Sequence, residues 1–199
     1  MSPSLELEVH HSIGTRPIVV VGIIALAVAM GIGRFAFTPL LPLMLRDGAI
    51  DSATGAEWAA ANYGGYLVGA LTAAHAGRHI VRELQIALLG VVVSTVLVAF
   101  MQTPFTAIAL RFAAGVFSAW VLILTSSWCL SELAREGASH FGAWIYSGVG
   151  IGITLAGALA WFGGLQPAWV LWLEVGLLAA IGTGFVLRAL PQVSRTVAL

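Results

Sequence analysis

Polar residues in this chain act as short punctuation between long apolar runs. Six runs stand out, at roughly 17–45, 58–77, 84–102, 105–130, 139–162 and 167–189, and each approaches or exceeds the ~20 apolar residues that cross a bilayer as a helix. The breaks between them carry turn chemistry: Asp47-Gly48 and Asp51, Gly77-Arg78-His79, Gln102-Thr103-Pro104, Glu132 to Gly137, and Gly163-Gly164-Leu165-Gln166-Pro167. The apolar positions fall in blocks and not in the two-residue alternation of a membrane barrel, which leaves helices as the spanning structures. The pattern therefore predicts an all-α membrane protein with six transmembrane helices. Its divisions are a cytoplasmic tail at 1–16, a helical domain at 17–190 and a cytoplasmic tail at 191–199.

Composition strengthens this reading. Hydrophobic residues make up 59% and charged residues 9%, with a mean hydropathy of +0.97, where a soluble domain carries about a quarter charged residues. The net charge is zero, lysine is absent and the arginines are scattered singly, so no basic stripe exists to hold a nucleic-acid backbone and no nucleic-acid partner is expected. A single cysteine, Cys129, excludes an intrachain disulfide and a cysteine-based zinc site. It reads as a packed helix residue. The adjacent His10 and His11 have no third ligand nearby, and the tail that carries them lacks a cleavage site. No metal and no cofactor are expected.

Arginine bias gives the orientation. With a cytoplasmic N-terminus, Arg16, Arg78, Arg82, Arg135, Arg188 and Arg195 lie inside and Arg46 alone lies outside. Trp58 and Trp169 then fall near outer helix ends, where they are expected to anchor at the headgroups.

Candidate chemistry rests on charges where none should be. Arg34, Arg111 and Glu174 fall inside apolar runs, and an ionisable group at that depth is costly unless it meets a partner or a cavity. Arg111 and Glu174 each lie seven residues beyond a proline, Pro104 and Pro167, hence ~10 Å below the outer boundary, with Arg34 at ~15 Å on the same measure. Two readings of this shared layer stand side by side: an ion pair of Glu174 with either arginine, or a role in substrate or proton handling. Arg111, Gly115, Ser118, Leu122, Thr125 and Cys129 form one helical face, which belongs against protein or water. Gly31, Arg34 and Thr38 make a similar line, followed by Pro39 and Pro42, which are expected to bend that helix near its outer end. Asn62, Tyr63 and Tyr66 in the second run need hydrogen-bond partners in the membrane. The glycine pairs Gly65 with Gly69, Gly148 with Gly152 and Gly31 with Gly33 read as close-packing devices. The pathway candidates are thus Arg34, Thr38, Asn62, Tyr63, Arg111, Ser118 and Glu174.

The run GIGRFAFTPLLPLM at 31–44, with ANYGGYLVGAL at 61–71, resembles the first two helices of the YbfB/YjiJ-like transporters of the major facilitator superfamily. Arg111-Phe-Ala-Ala-Gly115 is similar to the Arg-x-x-x-Gly signature of that superfamily's fourth helix, and SGVGIGITLAG at 147–157 to its fifth. Between the second and third runs, His75-Ala-Gly77-Arg78 departs from the superfamily's usual acid and paired basics. The resemblance implies one six-helix half built of two inverted three-helix repeats, with helices one, two, four and five around a common face and three and six toward lipid. It also implies a secondary transporter of an unidentified small molecule in the bacterial inner membrane, working by alternating access with proton coupling or exchange. Such a half is a truncated product, pairs with a second half encoded elsewhere, or forms a homodimer. A structural or assembly protein of the membrane is the alternative. An intramembrane enzyme has no metal-ligand cluster or nucleophile–base pair to support it, since His75, His79 and His140 share no helical face with a carboxylate.

Overall fold

The computed structural model describes residues 14–73, 79–101 and 103–197, all helical or in short connections, without a strand among them. The expectations for His10, His11, His75, Arg78 and Gln102 fall outside the described residues. The chain runs α1 (Thr15–Leu26), a π-helical stretch (Ala27–Arg34), α2 (Phe37–Arg46), α3 (Ser52–Ala73), α4 (Ile80–Val98) and α5 (Pro104–Arg135). A 3₁₀ stretch (Ser139–Tyr146), α6 (Ser147–Phe162) and α7 (Ala168–Val197) follow. Helix α7 continues past residue 190, where the sequence suggested a tail.

Among the described residues, five helical stretches are long and apolar enough to cross a membrane: Thr15–Arg46, Ile80–Val98, Phe105–Arg135, Ser139–Phe162 and Ala168–Leu190. Helix α3 has the length, at 22 residues, but Glu57, Asn62, Tyr63, Tyr66 and its glycines lower its hydropathy below theirs. Its packing accounts for that composition. α3 lies along α5, and Gly65 and Gly69 on α3 face the backbone carbonyls of Phe112 and Val116 while Gly115 on α5 faces that of Asn62. The backbones touch because neither side carries a Cβ there, the device the four-residue spacing predicted. The same device joins α6 to the first helix, where Gly148 faces Ile23 O, Gly152 faces Ala27 O, and Gly31 meets Gly152 directly.

The element ends follow local chemistry. Thr103 caps α5 by accepting a bond from Thr106 N at 3.3 Å, and Pro104 opens the helix where its missing N–H costs nothing. At the far end Gly137 takes φ 66°, which lets Ala138 N donate to Leu133 O at 2.8 Å and close the last turn. Gly48, at φ 67°, ends α2 in the same way.

The loop after α2 is tied to the loop before α7, so both lie at one end of the bundle. Arg46 donates to Asp47 Oδ1 at 2.8 Å, to Gln166 O at 2.7 Å and to Gly164 O. Asp47 Oδ2 accepts from Ala168 N at 2.6 Å, at the positive N-terminus of α7. The Ala168 N–H first, and then Arg46, hold the Asp47 carboxyl below its ordinary value of 3.8. A depressed carboxylate stabilises the fold above its ordinary value, and that contribution is lost as pH falls through the lower folded value. Thermal melting followed downward from pH 3.8 should therefore show a loss of stability that Asp47→Asn lacks. Equal acid sensitivity in native and variant proteins would exclude the tie.

One anchor is corrected. Trp169 is exposed, as an interfacial ring should be, but Trp58 is only 5% exposed and packs on Phe37 with centroids 6.3 Å apart. Its position near a helix end placed it at the boundary, yet the facing side of the first helix supplies an aromatic partner that draws it inward.

Candidate functional site

The junction between the π-helical stretch and α2 carries the site. Glycines at 31 and 33 sit in the π-helical stretch, whose wider turns leave the regular ladder. Across the junction Phe35 N donates to Met30 O at 3.2 Å, Ala36 N to Ile32 O at 3.1 Å and Thr38 N to Phe35 O at 3.1 Å. The carbonyls of Gly33 and Arg34 are thereby left without the donors that a regular helix would bring. The break precedes Pro39, which sits in the first turn of α2, a position that tolerates it. Pro39 thus follows a break between helical segments, where a bend in a continuous helix was expected, while Pro42 lies inside α2.

Arg111 takes up those carbonyls. It is 1% exposed; its Nη1 donates to Gly33 O at 3.5 Å and its Nη2 to Arg34 O at 3.4 Å. Both bonds are longer than the usual 2.7–3.2 Å, so the rings around the guanidinium matter as much. Its Cζ lies 4.9 Å from the Phe37 centroid and 5.9 Å from that of Trp172, within reach of cation–π attraction. Arg111 is therefore packed inside the bundle and closed off from any open cavity. Asn62 and Ser118 are buried around it and bonded to backbone, Asn62 Nδ2 to Arg111 O at 2.9 Å and Ser118 Oγ to Ala29 O at 2.8 Å.

Arg34 has a different setting. It is half-buried, with Cζ 3.8 Å from the Tyr66 centroid, 5.1 Å from Tyr63 and 5.3 Å from Phe35. No protein oxygen among the described residues accepts a bond from it; its buried Nε has no partner, which is equally true of Arg111 Nε. Thr38, four residues on, is exposed, and Tyr63 is 58% exposed. Arg34 and the two tyrosines meet where the π-helical stretch comes against α3.

Glu174 is elsewhere. It lines a groove of about 410 Å³ between α6 and α7 with Leu155, Ala158, Leu159, Phe162, Leu177, Leu178 and Ile181. The ion pair that the shared depth suggested does not form: Glu174 is paired with neither Arg34 nor Arg111. Depth alone ignored direction. Trp172 points at Arg111, and two residues along a helix is a turn of ~200°, which sends Glu174 to the opposite side of α7.

The stripe on α5 lies against protein, as its small and polar residues required: Arg111, Gly115, Ser118, Thr125 and Cys129 are buried and Leu122 is half-buried. Cys129 Sγ lies 3.7 Å from Ile18 O. Phe37 and Trp172 are the residues of the site that charge counting missed, while Tyr66, expected to need a partner in the membrane, lies against Arg34. The usable signal was an arginine without an acid, which in an apolar setting turns to aromatic faces.

A family model described as uncharacterised MFS-type transporter YbfB matches residues 26–199. No curated protein matches the chain.

Proposed function

Because the chain belongs to this family of MFS-type membrane transporters, we propose that it is a secondary active transporter of a small molecule, working by alternating access with proton coupling or exchange. The chain acts as one six-helix half, apposed to a second half or a second copy. In this reading α3 is the remaining crossing, made tolerable by its contact with α5, and the inner-membrane orientation with cytoplasmic termini follows the arginine bias.

The observation that carries the proposal is Arg34. A guanidinium stays charged at any accessible pH, and at membrane depth it needs acceptors that the described residues do not supply. Water or a passing solute supplies them if the edge formed by Arg34 and Tyr63, with the exposed Thr38 on the same helical stretch, borders a transport pathway. Arg111, Asn62 and Ser118 then hold that edge in place from behind. Glu174 shares no neighbour with it and serves, if it carries protons, from the groove between α6 and α7.

The test is uptake of candidate solutes into proteoliposomes, driven by an imposed proton gradient or by counterflow, with membrane-inserted yield measured separately. Arg34→Gln is expected to insert at the native yield and lose at least about tenfold in flux, the effect of one charge-assisted contact. Loss of yield and flux together would assign Arg34 to packing and favour a structural protein of the membrane.

A further inference from the structure

We infer that the edge where the first helix meets α3 is a binding site for a small organic carboxylate, with Arg34 as the anion-holding group. The inference rests on the transporter reading for its place in the pathway and adds the chemical class of the solute. It starts from the state of the guanidinium. Tyr66 at 3.8 Å, with Tyr63 and Phe35 at 5.1 and 5.3 Å, surrounds the Arg34 headgroup with rings. Rings attract a cation but accept no in-plane hydrogen bonds of carbonyl strength, so the N–H donors on its edge stay unspent. Two parallel N–H donors on a guanidinium edge match the two oxygens of a carboxylate.

The surroundings select the sign of the ligand. Arg111 lies directly behind, bonded through Nη2 to the carbonyl of Arg34 itself at 3.4 Å. Neither arginine is in an ion pair among the described residues, and Glu174 faces another groove. Two positive charges without a counter-charge repel a cationic solute and leave a neutral one without its best contact.

The surroundings also select a carboxylate over a phosphate. Only one guanidinium reaches the edge, because Arg111 is 1% exposed, and the polar groups of the neighbouring Tyr63 and Tyr66 are uncharged phenols. That is a fit for one negative charge. A phosphate dianion asks for several charged donors. The exposed Tyr63 ring and Leu67, 58% and 61% exposed, offer an apolar wall for the rest of the molecule.

The experiment measures binding of radiolabelled benzoate to the purified full chain in lipid nanodiscs at fixed ionic strength. Unlabelled benzoate, acetate, inorganic phosphate, benzamide and benzylamine serve as competitors. Saturable benzoate binding is expected, displaced by the two carboxylates and untouched by the neutral amide and the amine. Arg34→Gln should weaken it at least about tenfold, and Arg34→Lys, which keeps the charge and loses the fork, should fall between. The lysine variant carries the test if the glutamine variant does not insert. Absence of saturable benzoate binding, displacement by benzamide as effective as by benzoate, stronger displacement by phosphate, or native affinity in the Arg34 variants would overturn the inference. Flux is not read, so the two readings fail separately. A chain that binds benzoate but moves no solute overturns the transporter reading, and one that moves a neutral solute without binding benzoate overturns this one.

Discussion

Gly65→Val and Gly148→Val are expected to collapse the yield of folded protein in the membrane, because each puts a side chain where another helix's backbone already is. A Cβ at Gly65 would meet Phe112 O, and one at Gly148 would meet Ile23 O. Neither neighbour is a flexible side chain that can swing aside. Overpacking of this kind costs about 1–3 kcal/mol even where side chains can yield, and here whole helices must separate. A fall in melting temperature of about 6–12 °C or more in detergent is the expected scale for 3 kcal/mol. The controls are Gly150→Ala and Gly184→Ala, where nothing lies within 4 Å of the added atom. Those should be neutral or gain up to about 1 kcal/mol from the better helix former. A Gly65→Val protein as stable as Gly150→Ala would show that α3 and α5 do not meet through these glycines.

For Arg111 the magnitudes separate stability from function. A buried cation carries a desolvation cost of several kcal/mol. Against it stand two long hydrogen bonds, at 3.5 and 3.4 Å, and two ring contacts, the latter worth about 2 kcal/mol each when desolvated. These nearly cancel. Arg111→Met, which removes the charge and keeps the bulk, should therefore melt within about 4 °C of the native protein. Flux should nonetheless fall at least about tenfold, since the carbonyls of Gly33 and Arg34 lose the group that fixes the helix break beside Arg34. Arg111→Lys should fare worse in stability, because it retains the charge without the planar fork that spans both carbonyls and stacks on Phe37. The measurement is melting temperature alongside proteoliposome uptake. A methionine variant that loses stability but transports normally would reverse the assignment.

Much of the fold was legible in the sequence because it depends on one-dimensional quantities. The apolar runs at 84–102 and 105–130 became α4 and α5 because length and hydropathy set whether a segment is helical and membrane-sized. The four-residue glycine pairs announced close helix contacts for a similarly local reason: a missing Cβ is a property of the residue. The chain ends of the helices at Thr103-Pro104 and Gly137 are likewise written in residue type.

What the tertiary structure alone decided is direction and partner. The sequence placed Arg34, Arg111 and Glu174 in one layer, since depth follows from counting 1.5 Å per residue. Which side each faces depends on how the helices are turned against each other, which no count along one helix contains. Trp58 shows the same division: its position was legible, but its burial against Phe37 was not. The π-helical stretch at Ala27–Arg34 also waited for the structure, because its glycines permit a wider turn without requiring one. So the sequence determined that this chain is a bundle of membrane helices holding unpaired charge. Only the packing of those helices decided that Arg111 is enclosed by rings and carbonyls while Arg34 keeps an edge open, because a guanidinium's environment is built from residues far apart in the chain.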